Sequence, residues 1–198
     1  AEGGMLICRD KKLMERARRL SLSGVGKSAW DRLVDNDATY QLKEPGYKCN
    51  MTDIHAALGI HQLPKLDDFI HKRTQLANQY NILFKDSELI HPIGYSSHCT
   101  KHAWHIYVIR LNLPQLAITR NQFVQKLKSL NIGVGIHFEP CHMLEYYRNK
   151  YSYQSSDLPN SVEIGASVIS LPLHPRLNSI HQGEIARLIL DVAQNARV

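Results

Sequence analysis

Gly46-Tyr47-Lys48-Cys49-Asn50-Met51-Thr52-Asp53-Ile54 is the stretch on which the reading of the fold turns. It begins polar and without period, then hands over to a helix. Thr52 offers a side-chain oxygen to the free N–H groups of a helix start, and Asp53 puts a carboxylate where the helix dipole favours one. Ile54, Ala57, Leu58 and Leu63 recur at helical spacing, with Ala56 and Gly59 small enough for close packing. The pattern predicts a helix over 52–63. Pro64 marks a kink or a new start. Leu66, Phe69, Ile70, Leu76, Ala77, Tyr80, Leu83 and Phe84 then carry a long helix to Lys85. A loop that runs into a helix N-terminus is a place where backbone N–H groups and the dipole favour an anion. Lys48 and Asn50, just before the cap, are therefore the first binding candidates. Tyr47 serves equally as packing or as contact.

Upstream, Asp10 is placed to cap a helix over 10–22, with Leu13, Met14, Ala17 and Leu20 in phase. Met5-Leu6-Ile7-Cys8 reads as a strand. Ser23-Gly24-Val25-Gly26 breaks the helix, and Lys27 to Pro45 reads as a polar excursion. Downstream, 86–101 is rich in turn formers and reads as a linker. A strand is expected over 104–113, with Ile106, Val108 and possibly Arg110 on one side. Thr119 caps a helix carrying Phe123, Val124, Leu127 and Leu130, and a short strand follows at 134–138. Short helices are expected at Tyr146 to Arg148 and from Asn160 or Ser161. Ser170 to Pro175 reads as extended, and a last helix starts at Asn178 or Ser179. Strand, helix, strand, helix, helix describes a small α+β layer.

Composition narrows the class. The chain has 198 residues, 43% hydrophobic and 21% charged, which is ordinary for a folded globular protein. No apolar run approaches the ~20 residues that span a bilayer, so no membrane segment is expected. The four cysteines, Cys8, Cys49, Cys99 and Cys141, lie far apart without a C-x-x-C pair, and read as reduced thiols of a cytoplasmic protein. The net charge of +6 is spread along helices among acidic residues. It suits an anionic small molecule at least as well as nucleic acid, for which a clustered basic stripe is missing. His137 and His142, separated across Pro140, fit no zinc spacing, and no metal is expected.

Several stretches together resemble the DegT/StrS family of sugar aminotransferases, which use pyridoxal 5'-phosphate (PLP). Glu2-Gly3-Gly4-Met5-Leu6 is similar to the end of the family's lysine motif. Gly46 to Ile54 with Ala56-Ala57 resembles its G-Y-x-Y-[RN]-M-T-D-I-Q-A-A block. Gly135-Ile136-His137-Phe138 with Tyr146-Tyr147-Arg148, and Ser170-Leu171-Pro172-Leu173-His174-Pro175, resemble two later blocks. The matches fall in family order along nearly the whole chain. His102-Ala103-Trp104-His105 and Gly135-Ile136-His137-Phe138 further resemble the branch making UDP-4-amino-4-deoxy-L-arabinose for lipid A modification, hence lipopolysaccharide biosynthesis. The sequence departs from the family pattern at Cys49, where an aromatic is usual, and at Ser23, where a His commonly stands.

The resemblance implies the C-terminal part of a fold type I PLP-dependent transferase, α/β and α+β. Residues 1–85 would be the end of the PLP-binding large domain plus a connecting helix, and 86–198 a small α+β domain. It implies amino transfer, commonly from glutamate, to a 4-keto nucleotide sugar in a cytoplasmic homodimer with a shared site. The Schiff-base lysine would lie a few residues before Ala1, so this chain alone is expected to be inactive and to leave apolar surface uncovered. Lys48 and Asn50 would reach the cofactor phosphate or the sugar nucleotide across the dimer. Tyr47, Trp30, Arg32, His137, Tyr147 and Arg148 would be substrate-side residues. For Trp30 and Arg32 the alternative is a loop anchored by a buried Trp; for Tyr147 and Arg148, a surface helix end. His102, His105 and His174 read as structural or surface residues. The competing whole-chain reading is a truncated, non-catalytic module that dimerises or binds a nucleotide sugar.

Overall fold

Asp10 caps the first helix as its position predicts: its carboxylate accepts from the N–H groups of Lys12 and Leu13 at the start of α1 (Lys11–Ser21). The computed structural model describes residues 3–27, 29–36, 39 and 41–198. Ala1 and Glu2 of the opening motif thus lie outside the described residues. The chain divides into two units, Ala1–Lys65 and Leu66–Val198.

The first unit adds α2 (Ala29–Val34), inside the stretch read as an excursion, and α3 (Asp53–Gln62). Thr52 caps α3 by accepting from His55 N–H. The strand expected at 5–8 is absent; no ladder partner meets it among the described residues, and an unpaired strand leaves its backbone groups to water. Nor is the apolar stripe of α3 covered within the unit. Ile54 is 76% exposed, and Gly24 is the only buried residue among those described in this unit.

The second unit holds the core. Its helices are α4 (Leu66–Phe84), α5 (Arg120–Ser129), α6 (Glu145–Tyr151), α7 (Pro159–Ser167) and α8 (Ser179–Gln194). Strands β1 (Ile90–Pro92), β2 (Tyr107–Leu111) and β3 (Val168–Leu171) form one antiparallel sheet in that order, with Ile90 opposite Leu111 and Val108 opposite Ser170. Helix α4 packs on β1, α5 on β3 and α7 on β2, while α8 lies against both α4 and α5. Tyr80 stacks on Phe84 and Tyr107, with ring centroids 5.7 and 4.9 Å away. Both phenols keep hydrogen bonds: Tyr107 donates to Asn81 Oδ1 and Tyr80 to Pro172 O. Their burial pushes both pKa values well above the ordinary phenol range. Gln182, fully buried, donates to Leu76 O at 2.6 Å and ties α8 to α4.

Three expectations change. β1 lies within the predicted linker; with only three residues, one of them Pro92, it has no legible period. β2 starts at Tyr107, since Trp104 takes a left-handed backbone at φ 46°. Ile106, Val108 and Arg110 share one side as expected; it is the half-buried side, and the core face is Tyr107, Ile109 and Leu111. Residues 134–138 form no strand; Gly135 alone pairs with Ser170 as an isolated bridge. The two compact units meet at Lys65, where α4 begins, and Leu76, Ala77, Tyr80 and Phe84 bury α4 in the second core.

Candidate functional site

Residues 42–50 form a strap across the end of α1. Tyr47 N–H donates to Leu20 O at 2.6 Å, Ser23 N–H to Tyr47 O at 2.7 Å, and Cys49 N–H to Ser21 O at 3.0 Å. Close approach of the two backbones requires glycine on both sides. Gly24, at φ 75°, lies so near the Glu44 carbonyl that any Cβ would overlap it. A Cβ on Gly46 would overlap Gly24 N and stand 2.7 Å from Leu20 O. Glu44 fastens the strap from above: Arg16 Nε donates to it at 2.9 Å and Arg19 Nη2 at 3.3 Å. The hydrogen bond from Arg16 is the main reason its carboxyl is held below its ordinary value of 4.5, with the charges of Arg16 and Arg19 adding to it against some desolvation.

The backbone of the strap is thereby occupied, while the side chains of Tyr47, Lys48 and Asn50 are exposed. Asn50 joins Arg18, Arg19, Ser21, Gly26 and Asp31 around a cleft of about 610 Å³. Arg19 Nε is enclosed without an acceptor among the described residues. Arg18, Arg19 and Asn50 on one wall fit a phosphate group, although Glu15 and Asp31 bring opposing charge to the same wall. On α2, Trp30 is 71% exposed rather than a buried anchor, and Arg32 is half-buried.

In the second unit His137 is half-buried, its Nδ1 2.8 Å from Ser170 Oγ on β3. Tyr147 and Arg148 are exposed on α6, where Tyr147 stacks with Tyr151 at 6.5 Å and meets Tyr146 edge-on. No hydrogen bond joins either to His137 among the described residues. His142 is buried beside the edge of Tyr153, and its Nε2 has no partner among the described residues. His102 accepts from Trp104 N–H and packs on its ring, a structural role, while His105 and His174 are exposed. Among the described residues no group of three His, Cys, Asp or Glu side chains is placed to hold a metal, and no helix is long and apolar enough to cross a membrane.

The strap thus brings Tyr47, Lys48 and Asn50 together, and Asp31 links the cleft to the α2 pair Trp30 and Arg32. Sequence reasoning passed over Arg19, Glu44 and Ser170. Ser170 carries one legible signal, a lone hydroxyl in the apolar run Val168-Ile169-Ser170-Leu171.

A small antiparallel sheet packed by helices matches the C-terminal part of a fold type I PLP-dependent sugar aminotransferase. The chain belongs to the DegT/DnrJ/EryC1/StrS aminotransferase family, whose model matches residues 1–190. Among its relatives, the spore coat polysaccharide biosynthesis protein SpsC of Bacillus subtilis is 36% identical over 98% of this chain and 50% of its own length. The UDP-4-amino-4-deoxy-L-arabinose–oxoglutarate aminotransferase of Shewanella sediminis is 35% identical over 98% of this chain and 52% of its own. The chain therefore spans about half the length of the curated relatives it matches. Of solved structures, the Spr1654 sugar aminotransferase of Streptococcus pneumoniae in its PMP form superposes with a TM-score of 0.85 at 26% identity, over 96% of this chain and 47% of that one. Helicobacter pylori PseC, an aminotransferase of pseudoaminic acid biosynthesis, shares the fold with a TM-score of 0.79 at 23% identity, over 94% and 47%.

Proposed function

We propose that this chain supplies the strap and the small-domain side of a PLP-dependent aminotransferase site, where an amino group passes from glutamate to a 4-keto nucleotide sugar. The observation that carries the reading is the strap itself. Its backbone is fixed by α1 and two glycines, so Lys48 and Asn50 stand as exposed donors on a held frame, with Arg18 and Arg19 sharing the cleft that Asn50 lines. PLP, when bound, supplies the carrier on which the amino group travels between donor and acceptor.

In this reading Lys48 and Asn50 donate to phosphate oxygens of the cofactor or the nucleotide sugar. Tyr47 and Trp30 offer ring faces to the nucleobase, and Arg32 pairs with the diphosphate. His137, Tyr147 and Arg148 are further substrate-side residues in this reading. The Schiff-base lysine stands upstream of Ala1, and the working enzyme is a cytoplasmic homodimer whose partner subunit completes the site. Similarity to the S. sediminis enzyme favours a UDP-linked 4-amino-4-deoxypentose as the product.

The test is titration of the chain with PLP and with UDP-4-amino-4-deoxy-L-arabinose, followed by NMR. Lys48→Ala is expected to weaken binding of the phosphate-bearing ligand about ten- to a hundredfold, since a charge-assisted hydrogen bond contributes about 1.5–3 kcal/mol. Equal affinity in the wild type and in Lys48→Ala and Asn50→Ala variants would overturn the strap assignment. Borohydride treatment with PLP should fix no cofactor on a lysine of residues 1–198, and a labelled lysine found by mass spectrometry would sink the upstream placement. The exposed apolar face of α3 favours one second reading, a non-catalytic module that dimerises or binds a nucleotide sugar. An in-frame coding segment upstream ending in a lysine motif supports the enzyme, and a stop codon there supports the module.

A further inference from the structure

Ser170 is 4% exposed on a strand whose other residues, Val168, Ile169 and Leu171, are all buried. Its backbone is already engaged with Gly135: Ser170 N–H donates to Gly135 O at 2.8 Å, and Gly135 N–H to Ser170 O at 3.0 Å. That pairing folds the imidazole of His137 back over Gly135. A Cβ on Gly135 would stand 2.5 Å from His137 Cε1, so only glycine leaves room for the ring. Ser170 Oγ then meets Nδ1 at 2.8 Å.

The hydrogen-bond inventory decides the direction of that contact. A neutral imidazole has one N–H and one acceptor nitrogen, and a hydroxyl has one hydrogen. With the hydrogen on Nδ1, the ring would donate to Oγ, and the serine hydroxyl would be left without an acceptor among the described residues. Buried donors are nearly always paired. Donation from Oγ–H to Nδ1 satisfies both groups and leaves the ring hydrogen on Nε2. That nitrogen makes no hydrogen bond among the described residues, on a ring that is only half-buried.

We propose that Ser170 is a positioning residue that fixes His137 as the Nε2–H tautomer, so that His137 presents a donor to an acceptor oxygen of the nucleotide sugar. The substrate half of this inference rests on the reading that His137 faces substrate. A ring held this way recognises a hydroxyl, carbonyl or phosphate oxygen. Its one acceptor nitrogen is engaged with serine, so in this form it takes no proton from the substrate.

Long-range ¹⁵N–¹H spectra of the chain, at a pH where imidazole is neutral, read the tautomer directly. His137→Gln identifies the signals. The wild type should show a protonated Nε2 and a bare Nδ1. Ser170→Ala should give a mixture of tautomers, and Ser170→Thr should restore the wild-type state. Unchanged amide shifts at Gly135 report that the backbone pairing survives. A protonated Nδ1 in the wild type, or an unchanged tautomer in Ser170→Ala, would overturn the proposal. The second arm titrates UDP-4-amino-4-deoxy-L-arabinose. Binding should move the His137 Nε2 signal, and Ser170→Ala should bind about tenfold more weakly, with recovery in Ser170→Thr. If Ser170→Ala alters the tautomer but the ligand never perturbs His137, the substrate role falls while the tautomer assignment stands.

Discussion

At the scale of single residues, Glu44 governs the strap. Its carboxylate collects Arg16 and Arg19 from α1, and both contacts lose their charge assistance if it is protonated. Its folded pKa lies below the ordinary 4.5, so its contribution is fully present above that value and is lost as the pH falls through the lower folded value. Amide protection of Tyr47 and Cys49, whose N–H groups bind α1, should therefore decline on acidification below 4.5. Glu44→Gln should show weaker protection at neutral pH and no such acid step, read by hydrogen exchange with protection factors corrected for intrinsic rates. An acid step persisting in the variant would assign the tether elsewhere. Lys48 and Asn50 were legible as candidates because they sit beside a cap, and caps are read from local spacing. Glu44 was not, because its ion pair with Arg16 spans 28 positions and no periodicity encodes it. Ser170 was hidden in the same way, its partner His137 lying 33 positions away.

At the scale of elements, sequence and structure agree wherever the deciding chemistry is local. Asp10, Thr52 and Thr119 each cap the helix they were expected to cap, and of the two candidates Asn178 and Ser179 it is Asn178 that caps the last helix. Agreement fails where burial is set by distant partners. β2 buries Tyr107, Ile109 and Leu111 because Tyr80 and Phe84 of α4 build an aromatic floor that local alternation does not reveal. Likewise α3 and α5 both carry apolar residues at helical spacing, yet only α5 buries them within the chain: Phe123 is 0% exposed against 76% for Ile54. The two helices should then answer truncation differently. Phe123→Ala is expected to cost about 3–5 kcal/mol in urea unfolding. Ile54→Ala should stay within about 0.5 kcal/mol, as exposed substitutions do. A large loss in Ile54→Ala would mean that α3 is covered in the chain as it exists in solution.

At the scale of the whole molecule, the two units differ in what sustains them. Neither α1 nor α3 buries a residue, and Met5, Ile7, Leu42, Ile54, Ile60 and Leu63 are all more than half exposed. Burial of apolar surface is the main favourable term in folding, so the first unit has little of its own beyond the strap's hydrogen bonds and charges. The second unit has a continuous core running from Ala77 to Ala196. Where its boundary lies is a physical question about α4. Tyr80 and Phe84 are 0% and 1% exposed and hold the sheet through Tyr107, while Gln182 binds Leu76 O from α8. The helix that the sequence reading grouped with residues 1–85 is therefore part of the second core. Two truncations separate these views. A chain of residues 66–198 should unfold in a single cooperative urea transition with nearly the stability of the second unit in the full chain. A chain of residues 86–198, lacking α4, exposes the faces of Tyr107 and Ile189 and should show no cooperative transition and bind a hydrophobic dye. Cooperative unfolding of 86–198 would place the boundary after Lys85, and failure of 66–198 would show that the second core depends on residues before Leu66.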